Sequence, residues 1–132
     1  MQSMEYFYVL GDGNHIRERV EFYLLNHDLE SLSNFSQSIT TAINELKEMA
    51  ISTMSGRVIL AGGDDILLSV PRENYRKELI QKLQQAFLDT TGITISFGIG
   101  KTIEAAYINL RRAKANKDVK IVEENILGSN IS

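Results

Sequence analysis

Two glycines followed by two aspartates, Gly62-Gly63-Asp64-Asp65, stand where the apolar run Arg57–Ala61 gives way to the apolar run Ile66–Val70. Glycine suits a hairpin tip, where the backbone turns with positive φ or lies close to a ligand. Adjacent carboxylates repel unless solvent or a cation offsets them, and a hard divalent cation such as Mg²⁺ takes oxygen ligands of this kind. The same four residues also fit an ordinary polar turn. A third carboxylate, Asp12, lies in Gly11-Asp12-Gly13-Asn14, directly after the apolar run Tyr6–Leu10 and before a helix-like stretch. Gly13 allows a tight strand-to-helix turn there, and the unpaired N–H groups that open a helix suit a phosphate. Asp12 alternatively caps that helix. The chemistry on offer is metal binding at a hairpin tip, with a place for phosphate nearby.

These residues need elements to hold them. A helical segment after Asn14, through about Asn26, puts Ile16, Val20 and Tyr23 or Leu24 on one side. Asn26-His27-Asp28 breaks it, and Asp28 can cap the next helix. From Leu29, apolar residues recur at Leu32, Phe35 or Ser36, Ile39, Ala42 or Ile43, Leu46 and Met49 or Ala50, a helical period over about seven turns. The hairpin comes next and ends at Pro71, which lacks the N–H that a central strand uses. A further helix turns Tyr75, Leu79, Leu83 and Phe87 inward and stops at Gly92. Ile93 to Ile99 then alternates apolar residues with Thr94, Ser96 and Gly98, the pattern of a strand. Thr102 caps a last helix with the stripe Ile103, Ala106 or Tyr107, Leu110 and Ala113, and Val119–Val122 forms a short final strand. The order is βααββαβαβ. Residues 1–122 are expected to form one domain and residues 123–132 a frayed tail.

Composition narrows the function classes. At 132 residues the chain is large enough for one domain with its own core. It has no cysteine, which excludes a disulfide framework and a thiolate metal site. Fourteen basic residues against 17 acidic ones give a net charge of -3, which argues against stable binding to nucleic acid through its phosphates. A small nucleotide fits better. No apolar run approaches the roughly 20 residues of a membrane span, and Met1-Gln-Ser-Met-Glu5 is not a signal segment. The expectation is a cytoplasmic chain with no direct membrane insertion.

Four segments in order, Leu10-Gly-Asp-Gly-Asn14, Ala61-Gly-Gly-Asp-Asp65, Ile93-Thr-Ile-Ser-Phe-Gly-Ile-Gly100 and Arg112-Ala-Lys-Ala-Asn-Lys117, resemble the palm domain of nucleotidyl cyclases and CRISPR-associated polymerases. The nearest likeness is to the minimal CRISPR polymerases, stand-alone palms related to the palm of type III CRISPR large subunits and to GGDEF diguanylate cyclases. It runs from Tyr6 to Val122. It implies an α+β, ferredoxin-like palm: a mainly antiparallel sheet with helices packed on one face and the Asp12 strand beside the hairpin.

The resemblance also implies a site. Asp12, Asp64 and Asp65 would be catalytic and, with a main-chain carbonyl near Gly13, would hold two Mg²⁺ or Mn²⁺ ions roughly 3.5–4 Å apart. One ion would activate a ribose hydroxyl for in-line attack on an α-phosphorus, and the other would stabilise the departing pyrophosphate. Gly11, Gly13, Asn14, His15, Gly62, Gly63, Ser96, Lys114 and Lys117 would contact the nucleotide, and Gly98 would line its bed beside Ser96. Lys114 and Lys117 equally suit a helix C-terminus through its dipole. His15 and His27 suit surface or capping roles, and Arg111 and Arg112 face solvent.

The same likeness bears on substrate. Diguanylate cyclases carry a guanine-reading asparagine eight residues after the metal aspartate, where this chain has Val20, and a glutamate where it has Asp65. An adenine nucleotide is therefore expected over guanine. The implied reaction makes a cyclic dinucleotide, of the cyclic di-AMP type, from two nucleoside triphosphates in antiphage signalling. Closing the ring calls for a homodimer, and a separate membrane-associated effector would sense the product. Two other readings are a palm that senses a nucleotide without turnover, which needs no full carboxylate set, and a template-directed polymerase, which the acidic balance disfavours.

Overall fold

The computed structural model describes residues 5–123. The chain runs β1 (Tyr6–Gly13), α1 (Ile16–Leu25), α2 (Leu29–Met54), β2 (Arg57–Gly62), β3 (Asp65–Pro71), a 3₁₀ turn (Arg72–Asn74), α3 (Lys77–Thr91), β4 (Ile95–Gly100), α4 (Ile103–Ala115) and β5 (Ile121–Glu123). This is the order expected from periodicity. Helix starts follow the capping signals: the Asp28 carboxylate accepts from the Ser31 amide at 3.1 Å, and the Thr102 hydroxyl accepts from the Ala105 amide at 3.0 Å.

The five strands lie in the order β2-β3-β1-β4-β5. β1 is central and antiparallel to β3 and β4, and β4 with β5 is the parallel pair. Phe7, Val9, Ile66, Leu68, Val70, Ile95, Phe97 and Ile99 from the sheet meet Phe35, Ile39, Leu46, Ile80, Leu83 and Phe87 from α2 and α3 in the main core. α1 lies outside this layer: it has no buried residue, although Ile16, Val20 and Tyr23 pack partly against the core. The fold is the α+β palm arrangement anticipated.

Three details differ from expectation, the first from what the resemblance implied and the others from the sequence pattern. Helices cover both faces, because α4 packs against the Gly98 side of β4 whereas α2 and α3 pack against the Phe97 and Ile99 side. Glycines in β4 make this possible: a Cβ on Gly98 would lie 2.1 Å from the Leu110 amide nitrogen and 2.3 Å from the Ala106 carbonyl oxygen of α4. Every residue of β4 is accordingly buried, including Ser96 and Gly98, which were expected to line the nucleotide's bed. β1 is also longer than its apolar run and carries Gly11, Asp12 and Gly13 inside the sheet. Finally, the last strand begins later than Val119. The Asn116 side chain accepts from the Asp118 and Val119 amides at 2.8 and 2.9 Å, a local turn that competes with strand pairing. Glu123, expected in the tail, ends β5 and accepts a 2.6 Å hydrogen bond from the buried Tyr75 hydroxyl. The remainder of the expected tail, 124–132, lies outside the described residues.

Candidate active site

Strand pairing brings the three carboxylates together. Asp12 of β1 pairs directly with Asp65 of β3, and on its other side with Ser96 of β4. Gly62 pairs with Asp65, so the β2–β3 connection is the two-residue turn Gly63-Asp64. Gly63 has φ 56°, and positive φ at the first central residue is what a tight hairpin of this type requires of glycine. The Gly13 amide donates to the Asp64 carbonyl at 3.2 Å, tying the turn to the end of β1. One oxygen from each of Asp12, Asp64 and Asp65 lies within 4.8 Å of the others. Asp12 is therefore not a helix cap; the residue before α1 is His15, which adopts φ 60°.

A cation faces this cluster from the other layer. The Lys114 ammonium of α4 sits 3.0 Å from an Asp12 carboxylate oxygen and donates to the Gly13 carbonyl at 2.7 Å.

The profile of the minimal CRISPR polymerase domain (mCpol) matches residues 8–123. The chain belongs to the mCpol family. No curated protein sequence matches significantly. Among solved structures, a chain of a Csm1–Csm4 cassette in complex with cA4 aligns at TM-score 0.67 and 18% identity, over 95% of this chain and 22% of that one. The active GGEEF domain of a diguanylate cyclase from Vibrio cholerae aligns at 0.59 and 12%, over 91% and 83%. The adenylyl cyclase CyaB from P. aeruginosa aligns at 0.52 and 13%, over 75% and 56%. These likenesses establish a shared palm fold. Among the described residues of this mCpol domain, no helix is long and apolar enough to cross a membrane.

The mCpol carboxylates do not share one protonation behaviour. Partial burial works against charge on Asp12, but hydrogen bonds with Asp65 and Asp64 and the Lys114 ammonium outweigh it and hold its carboxyl below the usual range. Asp64 is pushed up to about 6 by burial and then by its hydrogen bond and repulsion with Asp12. Asp65 is pushed up to about 7 by the same causes. Without a metal, three negative charges in this space are costly, and Asp64 and Asp65 keep their protons to higher pH than an ordinary carboxyl does.

The resulting pH dependence has a definite sign. For Asp64 and Asp65 the folded chain holds the proton more tightly than the unfolded chain, so their stabilising effect is complete below about pH 4 and is lost as pH rises through 6 and 7. Melting temperature in chelator should fall between pH 5 and pH 8, less so in Asp65→Asn. Divalent metal should restore more at pH 8, where it need not displace protons. Identical, flat melting curves for both proteins across this range would contradict the assignment.

The other site residues expected from the sequence separate into three groups. Gly13, Gly62 and Gly63 border the carboxylates. A Cβ on Gly13 would lie 3.3 Å from Asp64 and 3.2 Å from Ile16, whereas Gly62 and Gly63 are exposed and face open space where a Cβ would stand. His15 is also exposed, 3.2 Å from Glu18, and lines a cavity of ≈ 430 Å³ with Glu18, Arg19, Phe22, Tyr23 and Ile93. Three positions are instead enclosed. Gly11 lies in the core layer, where a Cβ would meet the Phe97 ring at 2.5 Å. Gly98 accommodates α4. Ser96 is fully buried and donates to the Asn14 side chain at 3.1 Å, so it supports the site without an accessible surface. Asn14, itself 5% exposed, donates in turn to the Thr94 hydroxyl at 2.9 Å. Lys117 is exposed beyond α4 and belongs to no ion pair among those described. Arg111 and Arg112 are exposed, as expected.

Thr94 was missed as a site support. Its carbonyl accepts from the Asn14 amide at 2.9 Å while its hydroxyl takes the Asn14 side chain, fixing the segment that leads into α1. Alternation in Ile93–Ile99 marked Thr94 only as one of the residues between apolar positions of a strand, and no local signal links it to a residue 80 positions earlier.

Proposed function

We propose that the chain is a metal-dependent nucleotidyltransferase that converts two nucleoside triphosphates, ATP by preference, into a cyclic dinucleotide of the cyclic di-AMP type. The observation that carries this reading is the set of three carboxylates within 4.8 Å, joined by an ammonium 3.0 Å from one of them. The donors are all hard oxygens, which fits Mg²⁺ or Mn²⁺ and excludes a soft-metal site. Ions held by Asp12, Asp64 and Asp65 would supply charge neutralisation for an in-line phosphoryl displacement and ease loss of the attacking hydroxyl proton.

The chain's own groups supply the rest. Lys114 carries the positive charge a triphosphate needs. The α1 N-terminus, without a side-chain cap, offers main-chain donors two residues beyond Asn14. The exposed glycines Gly62 and Gly63 leave the hairpin tip open to a large ligand. In each of two steps a ribose oxygen bonds to an α-phosphorus, the bond to pyrophosphate breaks, and the hydroxyl proton leaves to solvent. Among the described residues one chain has one such carboxylate set, so a homodimer presenting two nucleotides face to face is the simplest way to close the ring. Val20 is half-buried on α1 and offers no amide to a guanine edge, which favours adenine. By family membership, the product is a signal in antiphage defence, read by a separate effector.

The test is incubation of the pure protein with each nucleoside triphosphate and Mg²⁺ or Mn²⁺, followed by mass spectrometry of the products. Cyclic diadenylate with pyrophosphate is expected, with ATP preferred over GTP in competition and with specific activity rising with protein concentration near the dimer dissociation constant. Absence of any phosphodiester product under all conditions sinks the reading. A preference for GTP removes the inference from Val20.

A further inference from the structure

Lys114 occupies an unusual position for a phosphate ligand. Its ammonium is already engaged, 3.0 Å from Asp12 and 2.7 Å from the Gly13 carbonyl, and both are oxygens that the proposed metal site would use. The lysine side chain is 29% exposed and Asp12 33% exposed, so this contact is partly shielded from water and stronger than a surface pair. Lys114 also provides the only ion pair to Asp12, Asp64 or Asp65 among those described.

Mg²⁺ binding through the Asp12 oxygen and the Gly13 carbonyl that the ammonium now holds competes with it for their lone pairs and repels it. Mg²⁺ sits about 2.0–2.1 Å from its oxygen ligands, and an ammonium left at hydrogen-bond distance from the same atoms would face a divalent charge at close range. We propose that Lys114 is an internal placeholder cation: it compensates the carboxylates while the metal is absent, and entry of the metal expels it toward the incoming triphosphate. This deepens the nucleotidyltransferase reading and rests on it.

The consequence is linkage between two ligands. Metal alone must displace the lysine with nothing to receive it, whereas metal arriving with a triphosphate gives the released ammonium a new partner. Metal and nucleotide therefore bind cooperatively, and the coupling passes through one side chain. Lys114 also enforces order, since the site accepts a metal most readily when substrate is present.

The experiment measures Mn²⁺ binding by electron paramagnetic resonance, with and without the non-reacting analogue α,β-methylene ATP, in wild type, Lys114→Met, Lys114→Arg and Asp64→Asn. Lys114→Met should bind Mn²⁺ alone about tenfold tighter than wild type, a change of about 1.4 kcal/mol, and the analogue should improve its metal affinity far less. Lys114→Arg, which keeps a cation, should retain weak binding and coupling. Melting in chelator should show Lys114→Met destabilised relative to wild type and recovered by Mn²⁺, which also reports whether it folds. Equal or weaker Mn²⁺ binding by Lys114→Met than by wild type, while Asp64→Asn loses binding, overturns the placeholder and leaves the metal site standing. Loss of Mn²⁺ specificity altogether, with Asp64→Asn binding as well as wild type, overturns both.

Discussion

Replacing Asp64 by asparagine should reduce turnover by about a thousandfold or more, the scale on which removing one preorganised stabiliser of transition-state charge acts. Folding should survive. Asp64 lies in the two-residue turn, held through its main-chain carbonyl by the Gly13 amide, and asparagine keeps that bond and nearly the same volume. The lost charge also relieves repulsion with Asp12 that pushes the Asp64 carboxyl up to about 6 after burial is counted, so melting in chelator at pH 8 should be unchanged or higher. Asp65→Asn should behave alike. Asp12→Asn is expected to differ, because it also removes the Lys114 ion pair. Rates within tenfold of wild type for Asp64→Asn, measured with saturating Mg²⁺ and substrate, would falsify the metal-ligand role.

The second large effect is on stability and comes from a single methyl group. Gly98→Ala should cost about 3 kcal/mol or more, the upper end of overpacking penalties, because its Cβ would stand 2.1 Å and 2.3 Å from main-chain atoms of α4 rather than from a side chain that can swing away. Either α4 separates from the sheet or β4 distorts. Since α4 carries Lys114, activity should fall with stability. Gly62→Ala provides the contrast: its Cβ has nothing within 4 Å, and stability should stay within about 0.5 kcal/mol of wild type. Urea unfolding compares the three proteins directly, and a Gly98→Ala midpoint equal to wild type would show that the helix yields at no cost.

Much of this was legible in the sequence, and the residues show why the rest was not. The period of α2 and its Asp28 cap are local, so they could be read from neighbours in the chain. The Gly-Gly-Asp-Asp segment marked its own turn for the same reason. Asp12 was harder: glycines on both sides of it suggested a turn, but its two neighbouring strands draw Gly11 to Gly13 into the sheet. Tertiary pairing overrode local preference. Ser96 and Gly98 misled in a different way, because small residues leave room without stating for what. In this fold the room is filled by Asn14 and by the α4 backbone. The left-handed residue before α1 is His15 rather than Gly13, and histidine is one of the few side-chain residues enriched there.

The strand order has a further consequence for how the molecule comes into being. Of the strands in this sheet, the one synthesised first is the middle one, and both of its ladders are completed by partners that emerge much later. Gly13 and Lys114, which meet at 2.7 Å, are separated by 101 residues. Contacts this distant carry a high loop-closure cost and form after local helices. A growing chain thus carries all three carboxylates before α4 delivers their ammonium, and during that interval acidic residues cluster without an internal counterion. The compensating charge is therefore the late arrival, and Asp12 acquires its ion pair only when α4 docks on the sheet.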